Sequence, residues 1–465
     1  MNRAIASKEL TEMFRSGRVW IGAGTALALL VVALAAGVAQ VSRAAAERAA
    51  AASADRAAWI GQGEANPHSA AHYGMWAFAP AQPLAAFDPG VTPFTGTALF
   101  LEGHTMHTPR FRPAEDAPPG ARLGTLSGAL VLTVLVPLLL ILLTFDTCAG
   151  ERERGTLRTL LALGVRPRDV LAGKALAAAA PVALVLGAAL VLAFGAVVLA
   201  GDVRAHLPRA SLLVGAYALY LAGVLGLALG VSARARTARG ALAGLVGAWA
   251  VAAVLVPRLA VTAAEVLVPT PSAAEIADAR AADLAKLPDW AERRAEIEAE
   301  LMQAHGVSRP EDLPVDPSGP TFEWFEAEET RVHRAHADAL ADRFERQQAI
   351  FAWAGVLSPV LPMRLVSAGL AGTDLAHARH FADAAEAYRF AYVQHLNRDL
   401  AENQGYGERR IVGTDFWADV PAFIYTLPPT GWALRQHSVS LALLALWAAA
   451  GLAFAVTGAR RLHPD

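Results

Sequence analysis

The chain reads as an all-α integral membrane protein: six transmembrane helices with a mainly helical extracytoplasmic domain built from two insertions. Three observations predict this. Of 465 residues, 55% are hydrophobic and 18% charged, and the mean hydropathy is +0.36, too apolar for a soluble protein of average composition. Six apolar runs approach the ~20 residues that cross a ~30 Å hydrocarbon layer. The polar residues gather into two long blocks, 42–122 and 262–436.

Taken in order, residues 1–18 form an amphipathic helix. Ala6, Leu10, Met13, Phe14 and Gly17 make one stripe, with Arg3, Lys8, Glu9, Glu12, Arg15 and Arg18 mostly off it, as suits a helix lying at a membrane surface. Residues 19–41 are the first span. Charges in an alanine background (Arg43, Glu47, Arg48, Asp55, Arg56) extend that helix beyond the bilayer, and after Trp59 the texture turns to Pro, Gly and aromatics, predicting an irregular folded segment up to 122. Residues 123–145 are the second span with Pro137 inside it, 146–174 a charged connection, 175–200 the third span, and 201–209 a tight return. Residues 210–231 and 240–261 are the fourth and fifth spans, the latter with a small-residue run, GALAGLVGAWA, suited to close helix packing. In the second block, helices are expected over 273–304, 322–348 and 373–403. An apolar stretch at 349–372, broken by Pro359 and Pro362, reads as interfacial or re-entrant. Residues 437–457 are the sixth span and 458–465 a tail.

Basic residues stay on the cytoplasmic side of short loops. Arg152, Arg154, Arg158, Arg166, Arg168 and Lys174 fill the 146–174 connection, and Arg234, Arg236 and Arg239 fill the fourth-to-fifth loop. Both termini are therefore expected in the cytoplasm and both polar blocks outside, where they fold together. A net charge of -2 gives no argument for nucleic acid, and a single cysteine, Cys148, excludes an internal disulfide and a cysteine metal cluster.

The charged connection carries the functional signal. Leu157, Leu160, Leu161 and Val165 fall at helical spacing, giving one apolar face, while Glu151, Arg152, Glu153, Arg154 and Arg158 supply the wet one. Its pattern, E-R-E-x-G-T-L followed by a leucine-rich turn and a basic loop, resembles the first cytoplasmic loop of type-2 ABC-transporter permeases. NPHSAAHYG, FDPGV, LEGH and LSPVLPMRLVSAGLAGTDLAHARHFADAAEAYR resemble a subgroup of that family with an external domain of unknown function. The resemblance implies a permease subunit, of exporter type, in a bacterial inner membrane. It also implies an ATPase-coupling element at Glu151, Arg152, Glu153, Arg154, Gly155, Thr156, Leu157, Leu160 and Leu161. Partners would be two copies of a separate ATPase subunit, a second permease identical or homologous to this one, and membrane lipid. ATP and Mg would reside on the ATPase, with no cofactor on this chain.

Other chemistry is sparse. There is no G-x-x-x-x-G-K-[ST], since Gly173-Lys174 lacks the earlier glycine and the following Ser or Thr, and there is no H-E-x-x-H or G-x-S-x-G. His68 and His72, four apart, with His104, Met106 and His107 nearby, form the one pattern that suggests a metal. They are read here as hydrogen-bonding residues of a folded segment, so no metal ligand is assigned. His333 with His336, and His377 with His380, are read as solvated helix faces. The alternative to transport is a multi-span anchor for an external binding or sensing protein, or a metal-handling one.

Overall fold

The computed structural model describes residues 2–116, 126–199 and 203–462. Residues 117–125, which include the end of the first polar block and the expected start of the second span, lie outside the described residues. So do 200–202 in the third-to-fourth return and 463–465 in the tail. Among the described residues six helices are long and apolar enough to cross a membrane: Arg18–Ile60, Gly128–Glu153, Pro167–Leu199, Val203–Arg234, Ala238–Leu267 and Ser438–Ala459. The return expected at 201–209 is shorter than read, because the fourth helix already runs from Val203 through Pro208.

The first span is a strut. Its 43 residues rise about 65 Å at 1.5 Å per residue, twice the hydrocarbon thickness, so the alanine-rich second half stands clear of the bundle. Its far end carries Trp59, buried in the domain that the two polar blocks form together, the head, where the indole N–H donates to the Trp417 carbonyl at 3.0 Å.

Two spans tolerate an internal proline by the same device. A π-helical turn at Val131–Leu135 precedes Pro137, and another at Val251–Leu255 precedes Pro257. Proline has no N–H to offer the preceding turn. The Thr133 carbonyl, four residues before Pro137, instead accepts the Tyr220 hydroxyl at 2.8 Å, and the Ala252 carbonyl accepts the Ser358 hydroxyl at 2.7 Å.

The closest helix pair is the fourth span on the sixth. Gly226 faces Gly451 with no room for a Cβ on either, so the two backbones meet directly. The GALAGLVGAWA run of the fifth span makes no such contact within this chain: outside its own helix, no atom of the described residues lies within 4 Å of a Cβ built at Gly244 or Gly247, and that face is open.

The two polar blocks share one core. Ala70, Met75, Leu99 and Leu101 from the first pack with Phe381, Tyr392, Leu396 and Trp417 from the second. The first block is less irregular than its composition suggests. It holds a three-stranded antiparallel sheet, β1 (Met75–Phe78), β2 (Ala98–Glu102) and β3 (Thr105–Met106), in the order β1-β2-β3. In the second block the helix expected over 273–304 is two, Ala273–Leu284 and Trp290–His305, broken at Pro288 and restarted by the Asp289 cap, whose carboxylate accepts the Ala291 N–H at 2.8 Å. Long helices follow at Ser318–Trp353 and Leu375–Asn403. The stretch 349–372 contains a 12-residue helix, Val360–Ala371, too short to cross a bilayer. Val360, Met363, Val366 and Leu370 bury it in the same core as the fourth span.

Candidate functional site

The end of the bundle opposite the head gathers the amphipathic helix Asn2–Arg15, the connection after the second span, and the ends of the third, fourth and sixth spans. Here the connection is two short helices, Ala149–Glu153 and Thr156–Ala162. Gly155 between them sits at φ 78°, a left-handed conformation natural only to glycine, and turns the chain out of the span. Gly164, at φ 81°, ends the second helix, so Val165 falls beyond it.

Leu157 is buried against Val170, Leu171, Leu229 and Ala233, with Leu161 packed alongside, and Leu160 is half-buried. The apolar face therefore seats the short helix on the spans. The wet face needs correcting at two positions. Glu151 is buried: its carboxylate meets Lys174 Nζ at 3.0 Å and Lys8 Nζ at 3.4 Å. Lys174, wholly buried at the start of the third span, also meets Glu9 at 2.8 Å. Arg152 turns back to donate to the carbonyls of Ala233 and Ala235 at 2.7 and 2.6 Å, closing the C-terminal end of the fourth span. A carboxylate and a guanidinium at a bilayer edge gain more from such partners than from partial solvation. Neither is free to meet another protein. Glu153, Arg154, Gly155, Thr156 and Arg158 are exposed, as is Leu163, 76% accessible at the tip.

This junction is fixed from several sides. Arg18 pairs with Asp146 at 2.8 Å, and the Ser232 hydroxyl accepts the Cys148 N–H at 3.1 Å while donating to the Phe145 carbonyl at 2.9 Å. Cys148 is fully buried. The connection is thus joined to the amphipathic helix and to spans two, three and four.

The histidines lie in the head, and several differ from expectation. His333 and His377 are buried, not solvated: His333 bonds the His104 carbonyl at 3.2 Å, and His377 bonds Asp374 at 2.5 Å. His437 bonds the other oxygen of Asp374 at 2.5 Å. Burial works against the Asp374 carboxylate, but these two imidazoles outweigh it and hold its pKa below the ordinary value. His336 bonds Asp283 and His380 bonds Tyr425. His107 pairs with Glu102 at 2.6 Å, apart from the others. His68, His72 and His104 converge, the Nε2 of His68 lying 3.2 Å from that of His72 and 3.4 Å from that of His104. Burial lowers the His68 pKa from 6.5 to about 4 and lowers that of His72. Burial also opposes the charge on His104, but the hydrogen bond and charge of Glu329 prevail and raise its pKa.

Residues 3–301 match the family described as ABC-2 family transporter protein, and residues 275–426 match a domain of unknown function, DUF3526. The search of curated proteins gave no match.

Proposed function

The chain belongs to the ABC-2 family of transporter proteins, a membrane component that is not itself catalytic, and from that membership we propose that it is the permease of an exporter driven by a separate ATPase. Two ATPase copies carry the ATP and Mg, and a second permease, identical or homologous, completes the path. The open small-residue face of the fifth span, at Gly244 and Gly247, favours such a neighbour in the membrane. The chain lies in a bacterial inner membrane with both termini cytoplasmic and the head outside, a reading supported by the arginines of the two short connections.

The observation that carries the coupling proposal is the mounting of Thr156–Ala162. The helix offers an exposed rim, Glu153 to Thr156 and Leu163, on a base anchored by Leu157, Glu151 and Arg152. A push on that rim moves spans instead of being absorbed by a loop. In this reading Glu153, Arg154 and Thr156 meet the ATPase, while Glu151, Arg152, Gly155, Leu157, Leu160 and Leu161 transmit the motion.

The test is co-purification with a co-expressed ABC ATPase subunit, together with ATP hydrolysis in membranes. Glu153→Arg should leave the protein folded and weaken the complex by about 2–5 kcal/mol, the cost of spoiling a desolvated charge pair. Wild-type co-purification and hydrolysis in that variant, and in Arg154→Glu and Arg158→Glu, would remove the coupling role from this helix.

A further inference from the structure

The three converging imidazoles are placed by unrelated local devices. Asn66 caps the helix Pro67–Tyr73, its side chain accepting the His68 N–H at 3.0 Å, so His68 and His72 share one face a turn apart. His104 sits at the tip of the β2–β3 hairpin in a left-handed conformation, φ 63°. The Glu326 carboxylate accepts its backbone N–H at 2.9 Å, and Gly103 next to it donates to the Ala71 carbonyl at 2.9 Å. An unfavourable backbone conformation held from both sides signals a tip whose side chain is being aimed.

The rings are also fixed from behind. His104 Nδ1 lies 2.6 Å from Glu329, a carboxylate that only accepts, so Nδ1 bears the proton and the Nε2 of the neutral ring presents a lone pair. His68 Nδ1 lies 2.8 Å from Asn397 Oδ1 and is set the same way. Two lone pairs then face each other at 3.4 Å, with the third imidazole 3.2 Å from His68. As bare groups these repel; around a cation they cooperate. Four ligands in tetrahedral array around an ion with bonds of about 2.0–2.1 Å stand about 3.3–3.4 Å apart, close to the 3.2 and 3.4 Å from His68 to its two neighbours, and all three ligand atoms lie within 4.8 Å of one another. Phe322 stacks on His68 with centroids 3.5 Å apart, which stiffens the inner wall. Glu326 is held by a buried Arg389 at 2.5 Å and accepts the hairpin N–H, and it also lies 3.6 Å from His104 Nδ1, so it backs the cluster beside Glu329. His72 is exposed and opens the cluster to solvent.

We propose that His68, His72 and His104 hold a divalent transition-metal cation of the zinc class through their Nε2 atoms, with the fourth position left to water or an external ligand. An imidazole set without thiolate, backed by a carboxylate and an amide, suits Zn²⁺ and its spectroscopic substitute Co²⁺. The ligands come from the first polar block, while Glu329 and Asn397 behind them come from the second, so the cation ties the two together in a chain that has no disulfide. This inference does not rest on the transport reading.

The test uses the full-length, untagged chain in detergent, stripped with chelator and titrated with Co²⁺ and then with competing Zn²⁺. One cation per chain and the intense visible bands of four-coordinate cobalt are expected, together with a higher melting temperature. His72→Ala, at an exposed position, should weaken binding about tenfold or more. Glu329→Gln, behind the ring, should weaken it about 10–100-fold. His107→Ala should titrate like the wild type. No cobalt spectrum from the wild type, or unchanged affinity in both His72→Ala and Glu329→Gln, would overturn the proposal.

Discussion

The bundle end and the head are each built around one buried cation with two carboxylates, and the difference between them is instructive. At the bundle end Lys174 lies between Glu9 and Glu151, which reach it from the amphipathic helix and from the connection. In the head Arg389 lies between Glu386, one turn away on its own helix, and Glu326 on the neighbouring long helix. Arg389 adds bonds to the Glu102 carbonyl at 3.1 Å and the Thr330 hydroxyl at 2.7 Å, using its planar fork to lock hairpin and helices into one body. Lysine is a point charge on a flexible stem, and here it joins the amphipathic helix, the connection and the third span with less directional constraint than a guanidinium imposes. The head is locked by a planar fork, the junction joined by a point charge.

Four substitutions at three positions sharpen this contrast. The largest effect is expected for Arg389→Met, which strands two buried carboxylates and should destabilise the head by about 3–5 kcal/mol in thermal unfolding. Arg389→Lys should fail to restore it, because the hairpin carbonyl and Thr330 lose their donors; recovery by lysine would mean that charge alone matters there. Lys174→Met should cost less, about 2–3 kcal/mol, since Lys8 remains beside Glu151. Its signature should be faster proteolysis within residues 2–15 with an intact head. Equal loosening of head and junction would erase the distinction. Arg152→Ala should cost about 1–2 kcal/mol by uncapping the fourth span, and should lower coupled hydrolysis more than it lowers stability.

Orientation is tested by labelling. Cys148 is too buried to report it. Thr159→Cys and Lys286→Cys place thiols at exposed positions on opposite ends of the chain's fold. In intact cells an impermeant maleimide should label position 286 and spare 159; the reverse would invert the topology.

Much of this architecture was legible because hydropathy and helical period are local. The six spans, the strut after residue 41 and the seating of Leu157 all follow from neighbours in sequence. The inward turn of Glu151 was not legible, because it depends on Lys8, 143 residues away, and on Lys174. The tolerance of Pro137 was visible as a rule, but not that Tyr220 supplies the missing donor. The His68 and His72 spacing announced a shared face, whereas His104 joins it only through a hairpin tip held by Glu326. The break at Pro288 is local as well, since proline disfavours the helical conformation in the residue before it, although the helical composition on either side masks it.

The central claim is that the Thr156–Ala162 helix is where an ATPase acts on this chain. The direct measurement is photo-crosslinking from a reactive residue at Leu163, 76% exposed at the tip, in membranes containing a co-expressed ABC ATPase subunit, with the same residue at Lys286 in the head as control. The account predicts an ATPase adduct from position 163 and none from 286. No adduct from 163, or equal adducts from both, would contradict it.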